Sequence, residues 1–223
     1  LQLRGLQTTD LAALTTSQLQ ALTATQVASL STTQILSLTT SEIAGLTDAQ
    51  FAALTTSQLA AFSATQIQAL TSAELAALVD TRLAALTATE VGALHASQIT
   101  ELTTTQVAAL SSTQVAGLDR ADVAALSDAQ LAALSSTQIA GLSTTGLAGL
   151  TTTDVAALST TQIAGLSGNQ IAALKTTQTL GLTATQLAAM TTLQVRALTS
   201  SAVAELTADQ LAALSTTQIA ALS

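Results

Sequence analysis

An all-α solenoid of very short capped helices, one per eight-residue repeat, is the fold this sequence predicts. Three observations predict it. A leucine recurs every eight residues without a break. A helix-start signature follows each leucine at a fixed distance. Acidic residues crowd into that same signature.

Steps of eight from Leu6 to Leu222 reach 28 positions, of which 26 are Leu and two are Phe62 and Met190. No insertion or deletion interrupts the 27 octads from Leu6 to Ala221. An unbroken period takes precedence over the one or two domains that 223 residues ordinarily suggest. Residues 1–223 therefore read as a single repeat array. With the leucine as position 1, position 6 is Leu, Ile, Val or Phe in 26 of the 27 octads. Position 5 is Gln in 18 octads and acidic in six, and position 2 is Ser, Thr or Asp in 23. Positions 7 and 8 are mostly small, giving the consensus L-[ST]-x-[TS]-Q-[VIL]-A-[AG].

Each octad holds both halves of a helix N-terminus. A Ser or Thr followed three residues later by Gln or Glu is a capping box: the hydroxyl accepts from a backbone N–H of the first turn, and the Gln reaches back to the cap. Thr55 with Gln58, Thr103 with Gln106 and Ser159 with Gln162 are such pairs. The apolar residues just before the cap and at the fourth helical place form a hydrophobic staple. Leu54 with Leu59, Leu102 with Val107 and Leu158 with Ile163 occupy those places and are the predicted core. Of the 13 acids, 11 fall at positions 2 to 5, where the unpaired N–H groups and the helix dipole favour negative charge. The few bases follow no such rule.

A continuous α-helix is excluded by geometry. Eight residues advance the apolar stripe by about 80°, so it would spiral away from any partner. A compact β-solenoid is the remaining alternative, although apolar spacings of five and three place the two large residues on opposite faces of a strand, and Gln-Ala-Ala composition suits strands poorly. Helices this short are unstable alone in water, so stacking between octads must supply the stability, as in other repeat solenoids. Ala and Gly at positions 7 and 8 are expected to permit close approach. Two octads per coil is the simplest arrangement. Single departures at position 5, namely Arg82, Gly146 and Ala202, read as drift. Thr179 followed by Leu180 reads as a local slip of the apolar position by one residue.

Composition excludes several function classes. Five Lys and Arg, widely scattered, cannot form a nucleic-acid groove. With no Cys there is no disulfide or thiol chemistry. No apolar run approaches the roughly 20 residues of a spanning helix. His95, the single histidine, stands at a cap position without the partners that a metal site or a catalytic triad needs. No catalytic, cofactor-binding or metal residues are expected, and the chain does not read as an enzyme.

The segments LSTTQIAGL at 158–166 and LTTTQVAAL at 102–110 resemble octapeptide-repeat tracts of large bacterial secreted or cell-surface, adhesin-like proteins. The resemblance spans essentially the whole chain. It implies an extracellular or surface-exposed fibre, stalk or spacer. The array stops in register at Leu222 and Ser223, so an excerpt of a longer array, or a unit associating with itself end to end or laterally, is expected. Two other functions are compatible with the repeat: ice binding by rows of Thr and Ala, and a solenoid surface for protein binding.

Overall fold

The computed structural model describes residue 5 and residues 7–222. They form 27 α-helices, one per octad, numbered α1 (Thr8–Leu11) to α27 (Thr216–Ala220) in chain order. No strand occurs among the described residues, so the β-solenoid is set aside. The helices are four to six residues long, slightly shorter than the eight-residue period alone suggests.

The reason is the way each helix ends. In α6 (Asp48–Ala53), the Leu54 N–H bonds the Phe51 carbonyl three residues back at 3.1 Å, tightening the last turn. Leu54 then turns to φ −57°, ψ 131°, and Thr55 to φ −72°, ψ 159°. Two extended residues make the corner, and the next helix, α7 (Thr56–Leu59), begins at once. No residue with positive φ is needed, which is why the corners work without proline or an obligatory glycine.

The chain divides into two compact units, residues 1–109 and 110–223. Both stack in the same way. In the first, α3 (Ala24–Ala28) packs on α6, and α10 (Asp80–Ala84) on α13 (Thr104–Ala109). In the second, α17 (Ser136–Gly141) packs on α20 (Thr160–Gly165), and α19 (Thr152–Ala157) on α22 (Thr176–Leu180). Within each unit, each helix thus meets the helix three octads away, forming a solenoid-like array. Hydrogen bonds from side chain to main chain recur at separations of 28 to 31 residues, between three and four octads. This corrects the expectation of two octads per coil. Helices of four to six residues are only about 6–9 Å long, so two of them cannot wall a core. Residues from three to four octads are needed to surround it.

That core is built from positions 1 and 6. Leu54, Leu102 and Leu158 are each 4% exposed, and Leu59, Val107 and Ile163 are at most 1% exposed. Close approach between coils falls on position 8. A Cβ added at Gly165 would lie 2.6 Å from the Ser136 carbonyl oxygen. In an ordinary helix Gly→Ala is worth up to about 1 kcal/mol of stability. Here the opposing atom is backbone and cannot swing away, so overpacking wins. Gly165→Ala is expected to lower stability by about 1–3 kcal/mol, measured by urea unfolding.

Thr179 does not slip. It stays at position 6, 1% exposed, while Leu180 remains 37% exposed. A one-residue shift would pull Gln178 away from the Leu147 and Leu150 carbonyls, which its Nε2 reaches at 2.7 and 2.8 Å. Retaining the register leaves one hydroxyl in the core, and that hydroxyl donates to the Lys175 carbonyl at 3.3 Å. Such back-bonding within a helix is mildly unfavourable. Thr179→Val keeps the shape and restores the consensus, so it should raise stability by about 1 kcal/mol, seen as a higher denaturation midpoint.

Candidate functional site

The repeated polar feature of this protein is the residue at position 5. Its role begins locally. The Thr55 N–H donates to Gln58 Oε1 at 2.8 Å, and the Gln58 N–H donates to Thr55 Oγ1 at 3.2 Å. Thr103 with Gln106 repeats this at 2.9 and 3.1 Å. Ser159 with Gln162 does so at 2.8 and 3.2 Å. One Gln oxygen and one hydroxyl thereby satisfy two orphan N–H groups of the helix start.

The Gln amide nitrogen does something the capping box does not foretell. Gln58 Nε2 donates to the Val27 carbonyl at 3.1 Å and the Leu30 carbonyl at 2.8 Å. Gln106 reaches Leu75 and Leu78 at 2.7 and 2.8 Å, and Gln162 reaches Leu131 and Leu134 at 3.0 and 2.8 Å. The acceptors are the carbonyls of positions 6 and 1 one coil earlier. They belong to the end of a helix, where the position-6 carbonyl has one tight-turn bond from the corner leucine N–H, and to the corner after it, where the carbonyl lies beyond the helix's own ladder. One side chain therefore caps the start of its own helix and the end of another. Burial follows from this: Gln58, Gln106 and Gln162 are 2 to 5% exposed. Gln18 and Gln26, in the first described octads, are exposed and make the local bonds alone.

Arg82 is not drift. Its Nη2 donates to the Phe51 carbonyl at 2.7 Å, and its Nη1 to the Ala52 and Leu54 carbonyls at 2.7 and 3.3 Å. The guanidinium fills the cradle that Gln fills elsewhere and lies 5.0 Å from the centroid of the Phe51 ring, a cation–π distance. Burial lowers the pKa of this guanidinium from its ordinary value. The arginine has no cap-directed acceptor, and its octad has Val79 as N-cap without a side-chain bond. This gives one base of the chain the rule that composition could not.

The other departures are simpler. His95 and Lys175 occupy cap positions without side-chain caps, but their N–H groups each donate to the following Gln Oε1 at 2.8 Å. The Lys175 ammonium donates to the Ala148 carbonyl at 3.0 Å. Gly146 and Ala202 have no side-chain donor, and their N–H groups bond Ser143 Oγ and Thr199 Oγ1 at 2.9 and 3.2 Å.

Acids at position 5 keep the cap bond and lose the second function. Thr39 and Thr71 N–H groups donate to Glu42 and Glu74 Oε2 at 2.6 and 2.8 Å. The remaining oxygens, Glu42 Oε1 and Glu74 Oε1, are buried without a partner. A carboxylate has no proton to give a carbonyl. Burial pushes the Glu74 carboxyl above its usual pKa.

Among the described residues, no three His, Cys, Asp or Glu side chains converge in a way that could hold a metal ion. No helix of the described chain is long and apolar enough to cross a membrane. The polar groups that do converge are hydrogen-bonding donors and acceptors arranged to join one coil to the next.

No curated protein matches the chain. A family model does match, that of the ALTTAQ repeat, over residues 3–40, 115–152, 147–184 and 187–223. The six letters of that description run from position 8 of one octad through the corner leucine and the cap to the position-5 Gln of the next, as in Ala53 to Gln58. They span the end of one helix, the corner and the capping box. The matches cover more than half of the sequence, and the chain belongs to the ALTTAQ repeat family.

Proposed function

We propose that this protein is a non-enzymatic structural element, an extracellular or cell-surface fibre, stalk or spacer that associates with further copies of itself end to end or side by side. The observation that carries the reading is the double use of position 5. Buried glutamines in both units, such as Gln58, Gln106 and Gln162, tie a helix start to a helix end one coil away through the same atoms, so the bonding scheme extends by repetition and singles out no one place within a unit. An enzyme or a specific receptor concentrates unusual chemistry in one region. Here the unusual residues are isolated substitutions within a uniform lattice of bonds. The surface location rests on the resemblance to octapeptide tracts of secreted adhesin-like proteins.

Ice binding draws less support. The position-2 hydroxyls are engaged in caps, as at Thr55, Thr103 and Ser159. Electron microscopy of the purified chain is expected to show elongated particles or filaments, with sedimentation rising with concentration. Compact, concentration-independent monomers would overturn the proposal.

A further inference from the structure

We propose that Glu74 is a proton-binding site: its Oε1 takes one proton from solvent and directs it to one of the Ile43 and Leu46 carbonyls, restoring one of the two bonds that glutamine makes elsewhere. This inference does not depend on the fibre reading. It concerns a joint within the first unit, residues 1–109.

The register carries it. In the Gln octads, Oε1 accepts from the cap N–H and Nε2 meets carbonyls 31 and 28 residues back, as Gln66 does with Ile35 and Leu38 at 2.9 and 2.8 Å. Glu74 keeps the first half. Its Oε2 accepts from the Thr71 N–H at 2.8 Å and from Thr71 Oγ1 at 2.9 Å. With that oxygen fixed, the other takes the place of the amide nitrogen. The carbonyls at the same separations are Ile43 and Leu46, at the end of α5 (Thr40–Ile43) and in the corner after it. Glu74 is 3% exposed and its Oε1 has no partner. An ionised oxygen facing carbonyl oxygens is repelled and desolvated. A protonated one carries one O–H where the Gln amide carries two N–H, and forms one of the two missing bonds.

The surroundings favour the neutral acid. Glu74 lies on α9 (Ser72–Ala76), which packs on α6 and on α12 (Ala96–Glu101). The charged group on α6 is Asp48, which disfavours a second negative charge. Helix α12 carries Glu101, with His95 at its cap, and α5 carries Glu42. None of these helices has a Lys or Arg of its own; the Arg82 guanidinium docks on the Phe51 and Ala52 carbonyls at the end of α6 and is not among the groups that shift the Glu74 carboxyl. Burial is the largest effect and raises the Glu74 pKa from its ordinary value of 4.5, against the two Thr71 hydrogen bonds, which lower it; Asp48 adds a smaller push upward.

The sign follows from linkage. The folded state holds the proton at pH values where the unfolded chain has released it. The stabilisation is complete below the unfolded pKa and is lost as pH rises through the folded one. Acidification therefore tightens this joint.

The test compares the chain with its Glu74→Gln variant by urea unfolding at about pH 4 and about pH 8. Glutamine supplies the donor at every pH. At the higher pH the variant is expected to have a folded-to-unfolded ratio on the order of tenfold above the parent, since an unsatisfied buried group is replaced by a bonded one. At the lower pH the difference should shrink to about twofold or less. An advantage equal at both pH values, or no advantage at the higher one, overturns the proposal. Carbon NMR of the Glu74 carboxyl supplies a second reading on the unaltered chain. It should titrate above a free glutamate, and titration at the ordinary value also overturns the proposal.

Discussion

Replacing Gln162 by leucine should destabilise the second unit by about 2–4 kcal/mol, comparable to losing a core side chain. Size is nearly conserved, so packing is not the cause. The substitution removes the acceptor of the Ser159 N–H and the donor to the Leu131 and Leu134 carbonyls. Leu131 O also accepts from the Leu134 N–H at 3.2 Å and keeps one bond. The Leu134 carbonyl is left without this partner in a buried setting, at about 1–3 kcal/mol, and the Ser159 N–H, on an exposed residue, loses a cap bond worth about 1 kcal/mol. The same change at Gln26 gives the contrast. That side chain is exposed and makes its cap bond to Thr23 N at 2.7 Å, so Gln26→Leu should cost no more than about 1 kcal/mol. Urea unfolding of the two variants measures the difference. Equal losses would mean that the bonds between coils contribute nothing beyond capping.

Phe51→Ala is the second large effect, with an expected loss of about 3–5 kcal/mol. Phe51 is fully buried and is the largest of the completely enclosed side chains. Its removal leaves a cavity at position 6, where the other octads carry mostly Leu, Ile or Val. It also takes away the ring beneath Arg82. The guanidinium retains its three carbonyl bonds, including that to the Phe51 carbonyl, because those acceptors are main chain. A double-mutant cycle with Arg82→Gln separates the two contributions. It should return a coupling of about 0.5–2 kcal/mol for the ring and the cation. Zero coupling would show that Arg82 is held by the carbonyls alone.

These two results would bear on one feature, the paired use of side-chain and main-chain groups in every coil. The leucine rhythm supplies burial, and position 5 supplies direction. Apolar contact alone does not fix which octad sits over which, because neighbouring octads offer nearly the same surface. A Gln that must meet two carbonyls at 28 and 31 residues' separation does fix it. Thr179 illustrates the strength of that constraint, since it stays buried at position 6 while Leu180 remains on the surface.

The sequence by itself determined the local structure. Leu54, Thr55, Gln58 and Leu59 name a corner, a cap, a box partner and a staple within six residues, and short-range hydrogen bonds and sterics are enough to make a helix from them. It also marked the small residues at positions 7 and 8 for close approach, and the structure places that approach at position 8, as at Gly165. Only the tertiary structure decided how far apart in the chain the stacked helices lie. A strict period of eight carries no mark of where a coil closes, and the spacings that matter, 28 and 31 residues, are not multiples of it. The second role of Gln was hidden for a related reason. Its acceptors are backbone carbonyls, which every residue possesses and no side chain announces. Arg82 was illegible on the same ground, since a base among carbonyls looks in one dimension like a random substitution. Glu74 shows the reverse case. Its cap bond was readable from the sequence, and the price of its second oxygen appeared only when the preceding coil was set against it.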